Sequence, residues 1–201
     1  MIWTLVPAKS FALAKSRLST ILTTEQRISL SAALLARTLR VVRQAYGAER
    51  LLVVSADADV LALAQDLDTK AFHAAVPGLN AQLAQAAAQL PEGARLLVLH
   101  ADLPKLQPSD LGALAGVEEG IALCPDRHNI GTNALLQPGA RAHFQFGLNS
   151  FERHRETACA DGTAAAIVRR PGLAFDLDTP SDWQDFCDNR SFAEVLWGLS
   201  G

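Results

Sequence analysis

Asp176 and Asp178 stand one residue apart in FDLDTPSDW (175–183), close enough that their like charges need an answer. In extended backbone the side chains alternate, so the two carboxylates share a face while Leu177 points the other way, into the core. Either one of them caps the helix that Thr179 and Pro180 begin, leaving the other solvated, or the pair holds a divalent cation, which then needs a third oxygen ligand. LLVLHADLP (96–104) offers that ligand. It is a strongly apolar run that ends at His100-Ala101-Asp102, with Asp102 at its tip. Asp102, Asp176 and Asp178 are therefore the candidate metal ligands, for one or two Mg2+ ions completed by waters and substrate phosphates. His100 is assigned to the core or to the ligands' surroundings, because magnesium favours oxygen donors.

Three further stretches carry residues suited to anions. VPAKSFALAKSRLS (6–19) puts Lys9, Lys15 and Arg17 together with Ser10, Ser16 and Ser19 in one strand-to-helix connection, a natural seat for a polyphosphate. It has neither the P-loop spacing nor a dinucleotide-binding glycine fingerprint. CPDRHNIGTNALL (124–136) contains a Gly-Thr-Asn turn in which Thr132 could donate to a phosphate, with Gly131 beside it permitting close backbone approach. FGLNSF (146–151) repeats that pattern: Gly147, Asn149 and Ser150 lead into a helix whose first amides favour an anion, although a plain N-cap accounts for the same residues. His128, His143 and His154 have no metal-ligand spacing and receive no catalytic role. A polyphosphate seat, a carboxylate cluster and a second anion seat together describe phosphoryl or nucleotidyl transfer, in which metal and cationic side chains offset developing charge and no covalent nucleophile is required.

These residues must be carried by elements that bring them to one edge. Apolar β-branched runs at 2–7, 50–57, 70–76 and 94–104 alternate with helical patterns at 24–45, 58–66, 79–90 and 108–117. That alternation predicts right-handed βαβ crossovers and a doubly wound, mostly parallel sheet. Strands are further expected at 120–126, 131–137, 164–170 and 172–178, and helices at 150–162, at 180–188 behind the Thr179-Pro180 start, and at the C-terminus. In such sheets ligands bind beyond the carboxyl ends of the strands, where the residues named above fall.

The chain has 201 residues, 49% hydrophobic and 19% charged, which suits one α/β domain spanning 1–201. A net charge of −3 without runs of like charge disfavours nucleic acid and anionic membrane as partners. No 18-residue apolar stretch and no signal-like N-terminus appear, so a soluble cytoplasmic protein is expected. Cys124, Cys159 and Cys187 are widely spaced and read as reduced thiols. The apolar, Trp-bearing FAEVLWGL at the C-terminus suits either docking onto the chain's own body or a homodimer contact.

VPAKSFALAKSRLS, VVSAD (53–57), PGLNAQLAQA (77–86), LHADLP (99–104), PDRHNIGTNALL (125–136), FGLNSFERH (146–154) and DLDTPSDW (176–183) occur in the order found in the 2-phospho-L-lactate guanylyltransferase family, which the chain resembles over nearly its whole length. The resemblance implies the nucleotidyltransferase fold of molybdopterin-cofactor and sugar-nucleotide synthesis. It implies transfer of GMP from GTP to a small phosphorylated acid, with release of pyrophosphate, during synthesis of the deazaflavin coenzyme F-420. The acceptors it implies are 2-phospho-L-lactate, phosphoenolpyruvate or 3-phospho-D-glycerate. By position it assigns the acceptor to Thr132, Gly147 and Ser150, metal to Asp102, Asp176 and Asp178, and the GTP phosphates to Lys9, Lys15 and Arg17 with Ser10 and Ser16. Ser55, Leu79 and Asn80 would lie near guanine and ribose, and Asp102, Lys15 and Arg17 would carry the catalysis. Where the family usually reads Gly-Thr-Gly-Thr-Asn, this chain has Asn129-Ile130-Gly131-Thr132-Asn133. A cytidylyl- or sugar-nucleotide transferase of the same fold, or a silent nucleotide-binding domain, is the alternative.

Overall fold

The computed structural model describes residues 1–139 and 142–200. Its seven strands are β1 (Ile2–Pro7), β2 (Leu51–Ser55), β3 (Lys70–His73), β4 (Arg95–Leu99), β5 (Ile121–Pro125), β6 (Thr132–Pro138) and β7 (Ala165–Ile167). They form one sheet in the order β3-β2-β1-β4-β6-β5-β7. β1 pairs in parallel with β2 and β4, as do β2 with β3 and β5 with β7. β6 alone runs the other way, wedged antiparallel between β4 and β5.

The sheet is covered on both faces, as its near-continuous apolar strands require. Val6, Val53, Leu97 and Leu99 pack on one side against Leu35, Leu39 and Val42 of α1 (Thr24–Tyr46), Val60 of α2 (Ala58–Asp66) and Leu111 of α4 (Pro108–Ala115). Leu5, Leu52, Val54, Leu96 and Val98 point the opposite way, toward Leu83 of α3 (Leu79–Ala87) and Phe151 of α5 (Ser150–Ala160). A third apolar group joins Leu30 and Leu34 of α1 to Leu18, Leu177, Cys187 at the end of α7 (Pro180–Cys187), and Val195 and Leu199 of α8 (Phe192–Ser200). α8 thus docks on the chain's own α1, and Trp197 is left 82% exposed.

The expected strand over 172–178 does not form. Pro171, which has no amide proton, starts a single helical turn, α6 (Pro171–Ala174), and Phe175 to Asp178 continue as extended backbone outside the sheet ladder. A backbone bond ties this segment to the turn after β4: Leu177 N–H donates to the Asp102 carbonyl, 3.0 Å. The alternation anticipated for it holds without a ladder, with Phe175 and Leu177 buried and Asp176 and Asp178 half-buried. Among the described residues no helix is long and apolar enough to cross a membrane.

Candidate active site

The chain leaves β1 toward β2 and β3 on one side, then returns to place β4 on the other. Between β1 and β4 the sheet therefore has a switch point, where a crevice opens beyond the strand ends. A cleft of about 650 Å³ lies there. Antiparallel β6 brings its first residue, Thr132, to the edge at which β1 and β4 finish. The register Leu99 with Ala134, extended by His100 N–H donating to the Asn133 carbonyl at 3.0 Å, sets Thr132 and Asn133 beside the turn that bears Asp102.

Lys9, Lys15, Ser16 and Arg17 line the cleft on the β1 side. Their loop is held down by Leu18, fully buried within a 3-10 turn (Ser16–Thr20), and by Arg27 of α1, which donates to the Ala14 carbonyl at 3.0 Å. Lys15 itself adopts left-handed backbone, φ 53, a conformation that costs a non-glycine residue about 1 kcal/mol and concentrates at functional sites. Its ammonium lies 2.6 Å from Asp102 Oδ2 and 3.7 Å from Asp178 Oδ1, and its side chain is only 7% exposed. Arg17 bonds Asp178 at 2.9 Å but is 71% exposed, so this pair is weak and the guanidinium is available to other anions.

Asp102, Asp176 and Asp178 all face the cleft. Burial opposes ionisation of Asp102, yet the Lys15 ammonium outweighs it and holds the carboxyl below its ordinary range. Asp176 goes the other way: burial, then the Asp102 charge, push its carboxyl up. Asn133, itself buried, steadies the approach of Asp176 by donating to the Leu173 carbonyl at 2.9 Å and to Asp176 Oδ1 at 3.4 Å. Among the described residues no three acidic, histidine or cysteine side chains close into a ready-made metal cluster. Lys15 stands between Asp102 and Asp178 instead, while Asp102 Oδ1 is buried and has no hydrogen-bond partner among the described residues.

Asp182, in the first turn of α7, is buried. Its Oδ2 accepts from Asp178 N–H (3.0 Å), Thr179 N–H (2.6 Å) and the Thr179 hydroxyl (2.8 Å), while its Oδ1 pairs with Arg127. The Thr179 cap on α7 is present as a reciprocal capping box with Asp182. Capping therefore falls to Asp182, which shapes the turn that presents Asp178, while Asp176 and Asp178 face the cleft.

Thr132, Gly147 and Ser150 line the same cleft, brought there by β6 and the start of α5. Gly147 has φ 123, open to glycine and strained for other residues. Asn149 is the N-cap of α5 but makes no side-chain cap, and the amides of Ser150 and Phe151 donate to the carbonyls of Gly147 (3.2 Å) and Ile130 (3.1 Å). These two amides are thus spent within the protein, and the seat keeps the hydroxyls of Thr132 and Ser150 as side-chain donors. The loop before Thr132 is tied to Asp126, whose carboxylate accepts the amides of His128, Ile130 and Gly131; Asn129 there takes φ 59, which asparagine tolerates.

Leu79 lines the cleft, but Ser10, Ser55 and Asn80 do not. Ser55 is buried and its hydroxyl accepts from Asp57 N–H, 3.1 Å, in the turn before α2. Asn80 spends both ends of its amide on Phe146, accepting from its N–H at 2.8 Å and donating to its carbonyl at 3.1 Å, and so clamps α3 to the segment bearing Gly147. His154, given no role from spacing, is buried on α5 and bonded to Thr132 Oγ1 at 3.0 Å. The signal available for it was its place one helical turn after Ser150, on the apolar face with Phe151 and Ala158.

Residues 2–187 match the family described as "Guanylyl transferase CofC like". The chain is similar to the phosphoenolpyruvate guanylyltransferase of Rubrobacter xylanophilus, 40% identical over 90% of this chain and 91% of that protein. It is likewise similar to that of Sphaerobacter thermophilus, 37% identical over 90% and 89%. A solved nucleotidyl transferase from Methanothermobacter thermautotroptrophicus shares the fold, with a TM-score of 0.69 over 97% of this chain and 99% of that one at 17% identity.

Proposed function

The chain belongs to the CofC-like guanylyl transferase family, and on that premise we propose that it transfers GMP from GTP to the phosphate of a small phosphorylated carboxylic acid, in coenzyme F-420 synthesis. One observation carries the reading: a single cleft is lined by the cationic side chains of Lys9, Lys15 and Arg17, by the carboxylates of Asp102, Asp176 and Asp178, and by Thr132 and Ser150. An acceptor phosphate oxygen attacks the α-phosphorus of GTP. A new P–O–P bond forms, the bridging bond to the β-phosphate breaks, and pyrophosphate leaves with the electron pair.

Lys9, Lys15 and Arg17 bind the triphosphate and offset the charge of departing pyrophosphate, and Thr132, Gly147 and Ser150 orient the acceptor. The donor set suits a hard cation: the atoms are carboxylate oxygens, and Asp102 Oδ1 is buried without a partner among the described residues. Mg2+ would be held by Asp102, Asp176 and Asp178, and when bound it would neutralise phosphate charge. The relatives' names favour phosphoenolpyruvate among the acceptors.

The test supplies limiting GTP with phosphoenolpyruvate, 2-phospho-L-lactate and 3-phospho-D-glycerate in competition, and resolves the products by mass spectrometry. The phosphoenolpyruvate adduct of GMP should dominate. Equal use of CTP would favour the cytidylyl alternative, and no pyrophosphate above blank with any acceptor would remove the enzyme reading.

A further inference from the structure

His154 is 3% exposed, and both of its ring nitrogens are engaged. Nε2 receives the backbone N–H of Gln145 at 3.1 Å. An amide can only donate, so Nε2 must carry a lone pair and the ring proton must sit on Nδ1. Nδ1 lies 3.0 Å from Thr132 Oγ1. The Nδ1 proton is thus directed at Thr132 Oγ1 and at the Ser150 carbonyl, and the Thr132 hydroxyl, unable to donate to a protonated nitrogen, must send its own proton elsewhere. Among the described residues Thr132 Oγ1 has no other hydrogen-bond partner, and Thr132 is one of the residues that line the cleft.

We propose that His154 is a positioning residue for the acceptor: by donating to Thr132 Oγ1 it commits the threonine hydroxyl to donate into the cleft, toward an anionic oxygen of the bound phosphorylated acid. The proposal rests on Thr132 being part of the acceptor seat. A hydroxyl free to rotate could present its lone pairs to the incoming phosphate, which would repel it. The ring is kept neutral for this task by its surroundings, first burial and then Arg153 and His100, which bring its pKa down to about 4. The Phe146 ring meets it edge-on, with centroids 4.9 Å apart, and Phe146 is in turn held by Asn80, so the imidazole has little freedom to turn.

In the wild-type protein, 15N-histidine NMR should report a neutral ring protonated on Nδ1 from about pH 5.5 to about 8. The Nε2-protonated form would overturn the proposal. In steady-state kinetics with the acceptor varied at saturating GTP, Thr132→Val and His154→Gln should each raise the acceptor KM about tenfold, the worth of one hydrogen bond to a charged group, and leave the GTP KM unchanged. The double variant should be no worse than either single one, and His154→Asn, whose amide nitrogen can take the place of Nδ1, should recover most of the affinity. Multiplying effects in the double variant, or equal rises in both KM values for His154→Gln, would show a merely structural histidine. An unchanged acceptor KM in Thr132→Val would instead remove the seat, and the proposal with it. A damaged Thr132→Val beside an unaffected His154→Gln breaks only the link between them.

Discussion

Asp102 and Asp176 are both carboxylates in the cleft, but their neighbours give them opposite properties. Asp102 is ionised against a nearly buried ammonium, whereas among the described residues Asp176 forms no salt bridge and is raised by burial and by Asp102. Replacing one member of a paired set leaves an uncompensated charge, while removing an unpaired charge relieves repulsion. Asp102→Asn should therefore cost about 2 kcal/mol or more of stability, and Asp176→Asn should be neutral or stabilising by up to about 1 kcal/mol. Both should lose most turnover. Urea denaturation with a pyrophosphate-release assay checks the pair; equal stability losses, or an active Asp176→Asn enzyme, would contradict the division of roles.

The start of α7 shapes the turn that presents Asp178. Asp182 there gathers Asp178, Thr179 and Arg127 around one buried carboxylate, and Arg127 is further stacked over Phe175 at 5.0 Å. Asp182→Ala removes a helix cap and a charge partner together. It is expected to destabilise the protein by about 2–3 kcal/mol, and to lower activity by loosening Asp178. Chemical denaturation measures the first and turnover at low temperature the second; unchanged stability would mean that Arg127 is satisfied by Asp185 alone, 2.8 Å away. Sequence anticipated the Thr179-Pro180 start because Thr at the cap and Pro in the first turn are local signals. It could not reveal that Asp182 is buried, since that depends on Arg127 arriving from the end of β5, 55 residues earlier.

At the scale of the molecule, acid stability should carry the mark of His154. Its folded pKa of about 4 lies below the value of about 6.5 for an unfolded histidine. The protonated form is thus favoured by unfolding, so the contribution is complete above pH ~6.5 and is lost as the pH falls toward ~4, reaching about 3 kcal/mol at its limit. Denaturation curves of wild type and His154→Gln between about pH 7.5 and about 4.5 should converge by about 2 kcal/mol. A constant gap would mean that the ring titrates normally.

Sequence by itself determined the alternating elements, the apolar strands and the chemical kind of each cleft residue: Lys15, Arg17, Asp102, Thr132, Gly147, Ser150, Asp176 and Asp178 all reach the same cleft. These follow from local patterns, because strand ends in a doubly wound sheet share an edge. Which residues hold the others was decided only by the tertiary structure. Asn80 and Ser55 resemble ligand groups in the linear chain, yet the folded chain uses them to fasten Phe146 and the turn at Asp57. His154 resembles a stray helix residue until antiparallel β6 delivers Thr132 to it. Hydrogen-bond partners distant in sequence leave no periodic trace, and for a polar side chain the partner, more than the residue type, sets its charge, its direction and its use.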